Sequence, residues 1–272
     1  MAASELAAFW AAVAAYAAAF LAVVFGLVLR RRGAVRAGLG IGAAGLAAQG
    51  IALTCRGIGQ VAPPFVTYYE SVVFGTMLAT GVALWLARSR EWFRPALAVV
   101  LGVSLLLMGS AVFTAREFRP LGPALQSWWL VVHVVFALFA FGGMLVAAGA
   151  GVVAIRRRAA PAVRGRIDEV MYRAFALSFI FQLVMTASGA IWAHQAWGRY
   201  WGWDPIETAS LLTLIVYALA LHLRATHDWR GVRLGWLAIA GFLLTAYGIW
   251  GVPFVSPSVH LYTSPAYRAE AK

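Results

Sequence analysis

Charge is scarce in this 272-residue chain: Asp, Glu, Lys and Arg make up 12% of it. Hydrophobic residues make up 62%, and the mean hydropathy is +0.80. A soluble domain of this length cannot bury that much apolar surface, so the solvent is mostly lipid. Cysteine is nearly absent. Cys55 stands alone, which excludes an intramolecular disulfide and a CxxC redox pair. It reads either as a small residue at a helix end or as a lone reactive thiol, and any thiol reduction falls to another protein. There is no internal repeat, no soluble domain, and no grouping of Cys, His and carboxylate at zinc spacing. The first apolar run has no basic segment before it and its positive charge after it, so a cleavable signal peptide is not expected.

What the chain does have is long apolar runs. Eight are expected to span a bilayer, at about 7–29, 35–55, 67–87, 95–114, 127–155, 171–193, 206–226 and 234–251. The fold class is therefore an all-α integral membrane protein, a single polytopic domain over residues 1–272. Small residues at i, i+4 spacing, Gly38 and Gly42, suit close packing of the second span.

The net charge of +12 points away from nucleic acid because of its placement. Arg30, Arg31, Arg32 and Arg36 follow span 1, and Arg88, Arg90 and Arg94 join spans 3 and 4. Arg156, Arg157, Arg158, Arg164 and Arg166 join spans 5 and 6; Arg224, Arg230 and Arg233 join spans 7 and 8. The alternate connections hold far fewer: Arg56, then Arg116 and Arg119, then Arg199. The positive-inside rule puts both termini and the connection after span 6 outside. Contact with anionic membrane lipid is a by-product.

That outer connection, residues 194–208, holds Trp197, Tyr200, Trp201 and Trp203 beside Arg199 and Asp204. One or two such rings suit a bilayer interface. Four in so short a loop suggest a platform for a large, flat, apolar ligand. Asp204 before Pro205 has the pattern of a helix cap, with a chemical role as the other reading. Arg199 reads as a partner for a ligand carboxylate or for lipid phosphates.

Five histidines complete the inventory. His133 lies about 9 Å below the outer end of span 5. His260 is in the outer tail, residues 252–272. His222 falls ~24 Å along span 7, near the inner face, with His227 in the inner loop beyond it. His194 stands at the edge of the aromatic loop. An ionisable side chain inside a membrane is a functional candidate by default. Two outer imidazoles and an aromatic platform are the equipment to hold haem; helix packing or interfacial placement is the alternative for each histidine.

The segment from Ser188 to Thr208, SGAIWAHQAWGRYWGWDPIET, resembles the tryptophan-rich "WWD" segment of the CcsA/ResC family of cytochrome c maturation proteins. Thr67-Tyr68-Tyr69-Glu70-Ser71 resembles that family's YES motif. Tyr217-Ala218 through Leu221-His222-Leu223-Arg224 resembles its Y-A-x-x-x-H-x-R helix end. Departures are His194 for asparagine, Ile206 for lysine, Ala209 for tryptophan, and Ser258-Val259-His260-Leu261-Tyr262 where the family often has G-L-H-S-Y.

The resemblance implies a bacterial inner-membrane protein that takes haem b at His222 and displays it outside between His133 and His260. Trp197, Trp201 and Trp203 would contact the macrocycle, with Asp204 and Arg199 beside it. It also implies a haem-lyase role toward the CxxCH motif of apocytochrome c, with a separate CcsB/ResB-like membrane partner. The alternatives are a CcmC-like haem chaperone, a haem-synthesis regulator on the same scaffold, and a small-molecule transporter. The last needs polar residues in mid-span, which look scarce.

Overall fold

The computed structural model describes residues 3–58, 67–112, 125–156, 161–255 and 258. Among them there is no strand, and eight helices are long and apolar enough to cross a membrane. They are α1 (Ala3–Val28), α2 (Arg32–Ile58), α3 (Tyr68–Ser89), α4 (Arg94–Val112), α5 (Trp128–Ile155), α6 (Pro161–Trp197), α7 (Pro205–Thr226) and α8 (Val232–Ala246). Helices are what lipid demands, because each satisfies its own backbone polar groups. The chain is thus an all-helical multi-pass membrane protein, as the hydropathy pattern leads one to expect.

Several helices exceed their expected spans, and two of them bear on the site. α6 runs 37 residues, ~55 Å at 1.5 Å per residue, longer than the hydrocarbon core. Its first turns carry Arg164, Arg166, Asp168, Glu169 and Arg173, which lower the hydropathy without breaking the helix. α8 passes through a π turn at Tyr247–Gly251 and ends in one further turn, Val252–Val255.

α1 to α4 form one packed group and α5 to α8 another, with α5 touching α3, α4, α6 and α8. The glycines of α2 set the first group. A Cβ on Gly38 would lie 2.8 Å from Val23 Cγ2 and 3.0 Å from the Ala19 carbonyl, both on α1. One on Gly42 would lie 2.9 Å from Leu84 Cδ2 on α3. Polar contacts cross the same group. Tyr16 donates to Gln49 Oε1 at 2.5 Å, and Gln49 Nε2 donates to the Val73 carbonyl at 2.7 Å and to Thr76 Oγ1 at 3.0 Å. Mid-span polar groups are therefore more numerous than the apolar runs suggest, but these pair with one another as interhelical ties.

Arg56 and Glu70 take a place that sequence alone does not suggest. Arg56 Nε lies 2.7 Å from Glu70 Oε1, and Nη1 lies 3.4 Å from Glu5 Oε1, with every side chain 4% exposed or less. Arg56 is thus a buried cross-link of α1, α2 and α3 rather than a surface charge. Glu70 also closes a capping box with Thr67 at the start of α3.

Candidate functional site

A cavity opens among α5, α6, α7 and α8 at the end of the bundle that carries the aromatic loop. The space between atoms is about 1170 Å³ with the open mouth included. His133, Gly189, Tyr200, Trp201, Glu207 and Gly248 are among its lining residues.

His133 enters from the second turn of α5. Its Nδ1 lies 2.8 Å from the Met185 carbonyl on α6. A carbonyl only accepts, so Nδ1 carries the proton and Nε2 of the neutral ring keeps the basic lone pair. This is how a metal-ligating histidine is usually oriented. The ring fits because residue 189 has no side chain: a Cβ there would collide with Nδ1 and sit 2.7 Å from Cε1. Trp192, 1% exposed, stacks beyond it with centroids 6.3 Å apart and planes 27° from parallel. Met185, Gly189, Trp192 and Glu207 are site residues to which the sequence alone assigns no role. Only the Ser188-Gly189 pair, a small-residue step inside an apolar helix, hinted at a close approach.

The loop itself is short. α6 runs to Trp197, Gly198 turns the chain at φ 73°, and α7 starts at Pro205. Its four rings do not make one flat platform. Trp197 packs edge-on against Trp192 at 4.8 Å, and Tyr200 stacks on His194 at 4.3 Å. Trp201 and Trp203 are perpendicular at 5.8 Å. Tyr200 and Trp201 line the cavity, whereas Trp203 is 70% exposed. Arg199 is exposed and crosses Gly202, where a Cβ would lie 2.6 Å from its Nε.

Trp203 holds a φ of 56°, a strained backbone for a bulky residue at ~1–3 kcal/mol. Glu207 holds it there. Its Oε2 accepts from the backbone N–H of Gly202 at 2.8 Å and of Asp204 at 3.1 Å. Asp204 reciprocates as the helix cap, accepting from Ile206 N at 2.9 Å. Asp204 Oδ1 also accepts from Ser258 Oγ at 2.8 Å. That bond ties the loop to the tail two residues before His260, which itself lies outside the described residues.

The α8 π turn contributes Gly248 and Ile249 to the cavity, a common use of such bulges. Deeper, Gln182 donates to the Ser210 carbonyl at 3.2 Å, and Tyr217 bonds Thr245. His222 is remote from this site. It is exposed near the opposite end of α7, with ring centroids 6.0 Å from His227. It shares its helix face with exposed Leu212, Ile215 and Leu219. Among the described residues no three His, Cys, Asp or Glu side chains group as a metal site. The structure thus brings His133, Tyr200, Trp201 and Glu207 together in the cavity lining, and Trp197, Arg199 and Trp203 are not among those lining residues.

Residues 65–260 match the family model described as Cytochrome C assembly protein. The chain is 32% identical over 213 residues to the cytochrome c biogenesis protein CcsA of Chlamydomonas reinhardtii, covering 73% of this chain and 60% of that one. It is 32% identical over 241 residues to the CcsA of Prochlorococcus marinus strain NATL2A, covering 73% and 76%. Among solved structures it resembles cytochrome c heme lyase CcmF, with a TM-score of 0.77 at 19% identity over 98% of this chain and 48% of that one. This last likeness is one of fold.

Proposed function

Because the chain belongs to the cytochrome c assembly protein family, we propose that it handles haem as the CcsA-like subunit of a cytochrome c synthase. Haem b is the substrate it holds for attachment to apocytochrome c. The observation that carries this reading is the orientation of His133: Nδ1 donates to the Met185 carbonyl, and the ring lines an aromatic cavity, with Nε2 the nitrogen assigned to iron. Trp201 and Tyr200 supply ring contact at the mouth.

His260 is the second axial ligand in this proposal. The Asp204–Ser258 bond supports it by bringing the start of the tail to the base of the loop. Trp197, Trp203 and Arg199 then form the rim, with Arg199 the candidate for a haem carboxylate. Attachment adds a cysteine S–H across a vinyl C=C of haem, forming one C–S and one C–H bond with no net redox change. The chain's contribution is to hold the macrocycle in place while the CxxCH segment approaches.

His222 receives haem at the basic end, and the partner is a CcsB/ResB-like membrane protein seated on α7. Leu212, Ile215, Leu219 and His222 form an exposed stripe there at alternating spacings of three and four, the seam a second helix reads. The membrane is the bacterial inner membrane, with the aromatic end outward, as the arginine distribution supports.

The test is cytochrome c maturation in cells, read as haem covalently bound to a reporter cytochrome. His133→Ala should abolish it while the protein still inserts. Normal maturation by that variant would sink the assignment.

A further inference from the structure

The end of the bundle opposite the aromatic loop carries a second cavity that the haem reading leaves unused. Ala154 at the end of α5, Ile167 on α6 and Val232 on α8 give it an apolar wall, and Arg164, Arg230, Arg233 and Asp228 give it a polar one. It encloses about 1210 Å³ between atoms, mouth included. Three guanidiniums against one carboxylate leave the lining with an excess of two positive charges (3 − 1). The carboxylate is already engaged: Asp228 pairs with Arg230 and lies 3.8 Å from Arg224.

The cleft is held in shape from beneath. Asp168, 6% exposed on α6, accepts from the Gly231 backbone N–H at 2.6 Å, and Gly231 turns the chain at φ 56°. Arg233 is set over the Trp229 ring at 5.8 Å. The turn before α8 is thereby fixed against α6.

We propose that this cleft binds the phosphate headgroup of an anionic phospholipid. Arginine forks match phosphate oxygens in pairs, and basic pockets between membrane helices are where such headgroups seat. The apolar wall selects lipid over free phosphate. It is built from the ends of three membrane-spanning helices, so a headgroup on the arginines leaves the lipid's glycerol and upper chains against Ala154, Ile167 and Val232. Trp229 supplies an interfacial ring at the same level. A lipid held there bridges α5, α6 and α8 near the point where α5 and α8 touch, since a Cβ on Gly151 would lie 2.7 Å from the Gly235 carbonyl. It therefore stabilises the helix that carries His133, and this assignment stands or falls separately from haem binding.

The test is thermal unfolding of the full chain in nanodiscs of phosphatidylcholine alone or mixed with phosphatidylglycerol. Phosphatidylglycerol should raise Tm by at least ~2–4 °C. The triple variant Arg164→Gln, Arg230→Gln, Arg233→Gln should lose that rise. The triple Arg31→Gln, Arg32→Gln, Arg88→Gln removes as many exposed arginines from the same end but outside the cleft, and should keep it. Equal loss in both triples would reduce the effect to the general basic field. An equal rise from inorganic phosphate added to phosphatidylcholine discs would assign the cleft to a free anion. Either result overturns the proposal. If the first triple does not fold, native mass spectrometry of Arg233→Gln decides, because retention of the phosphatidylglycerol adduct at the wild-type level contradicts the site.

Discussion

Gly189→Ala adds one methyl group, and the structure puts it inside the His133 ring, 2.7 Å from Cε1 and nearer still to Nδ1. Ordinary contact begins at 3.4 Å, so the ring must retreat by roughly 1 Å, the scale of misplacement that matters at a reacting centre. The retreat breaks the 2.8 Å bond to the Met185 carbonyl, worth ~0.5–1.5 kcal/mol, and lets the ring change its tautomer. Loss of such an orienting partner typically lowers metal affinity ~10–100-fold. The fold is expected to survive. Overpacking costs ~1–3 kcal/mol and the lost hydrogen bond ~0.5–1.5 kcal/mol, while alanine is favoured over glycine in a helix interior by ~0.8–1.0 kcal/mol, so the net is ~0.5–4 kcal/mol. Haem content and the visible spectrum of the purified protein are the assay. Gly165→Ala, on the same helix with nothing within 4 Å of the added methyl, is the control. Wild-type haem content and spectrum in Gly189→Ala would refute the role given to His133.

The remaining expectations concern the loop and the ion cluster. Trp201→Ala should lower haem retention several-fold, whereas Trp203→Ala should leave it near wild type, since that ring is 70% exposed and outside the cavity lining; equal loss in both would restore a four-ring platform. Glu207→Ala strands two backbone N–H groups at ~1–3 kcal/mol and should release Trp203 from its strained φ. Glu207→Gln, which keeps an acceptor oxygen, should lose less, as thermal unfolding and loop protease sensitivity will show. Arg56→Ala leaves Glu5 and Glu70 buried without their cation, at ~3–5 kcal/mol, and should collapse expression. Replacing all three residues with apolar ones should recover it, and an unaffected single variant would contradict the burial.

The spans were legible because lipid imposes one rule on every residue: apolar runs near 20 residues long must be helical. The first turns of α6 escaped that rule because hydropathy registers Arg164 and Asp168 as loop-like, while helix formation depends on backbone bonds they do not break. Asp204 was legible as a cap because capping is local, an Asp before a Pro; the structure adds Glu207 as the other half of a capping box. The bond of Asp204 to Ser258, 54 residues away, was not legible. Arg56 looked like a lone outer charge for the same reason, since its partners Glu5 and Glu70 come from other helices. His133 stood out as an imidazole in an apolar run. What orients it is a backbone carbonyl 52 residues on, and no side-chain pattern announces a carbonyl. The ring count overstated the platform, because a short loop cannot aim Tyr200, Trp201 and Trp203 in one direction once Trp203 turns at positive φ.

The most direct test of the central claim is the iron spectrum of the protein purified with its partner. Wild type should show low-spin haem with two imidazole ligands. His133→Gly should shift it to high spin, and added imidazole, filling the vacated position, should return the low-spin bands. A His133→Gly spectrum identical to wild type before imidazole is added would contradict His133 as an iron ligand.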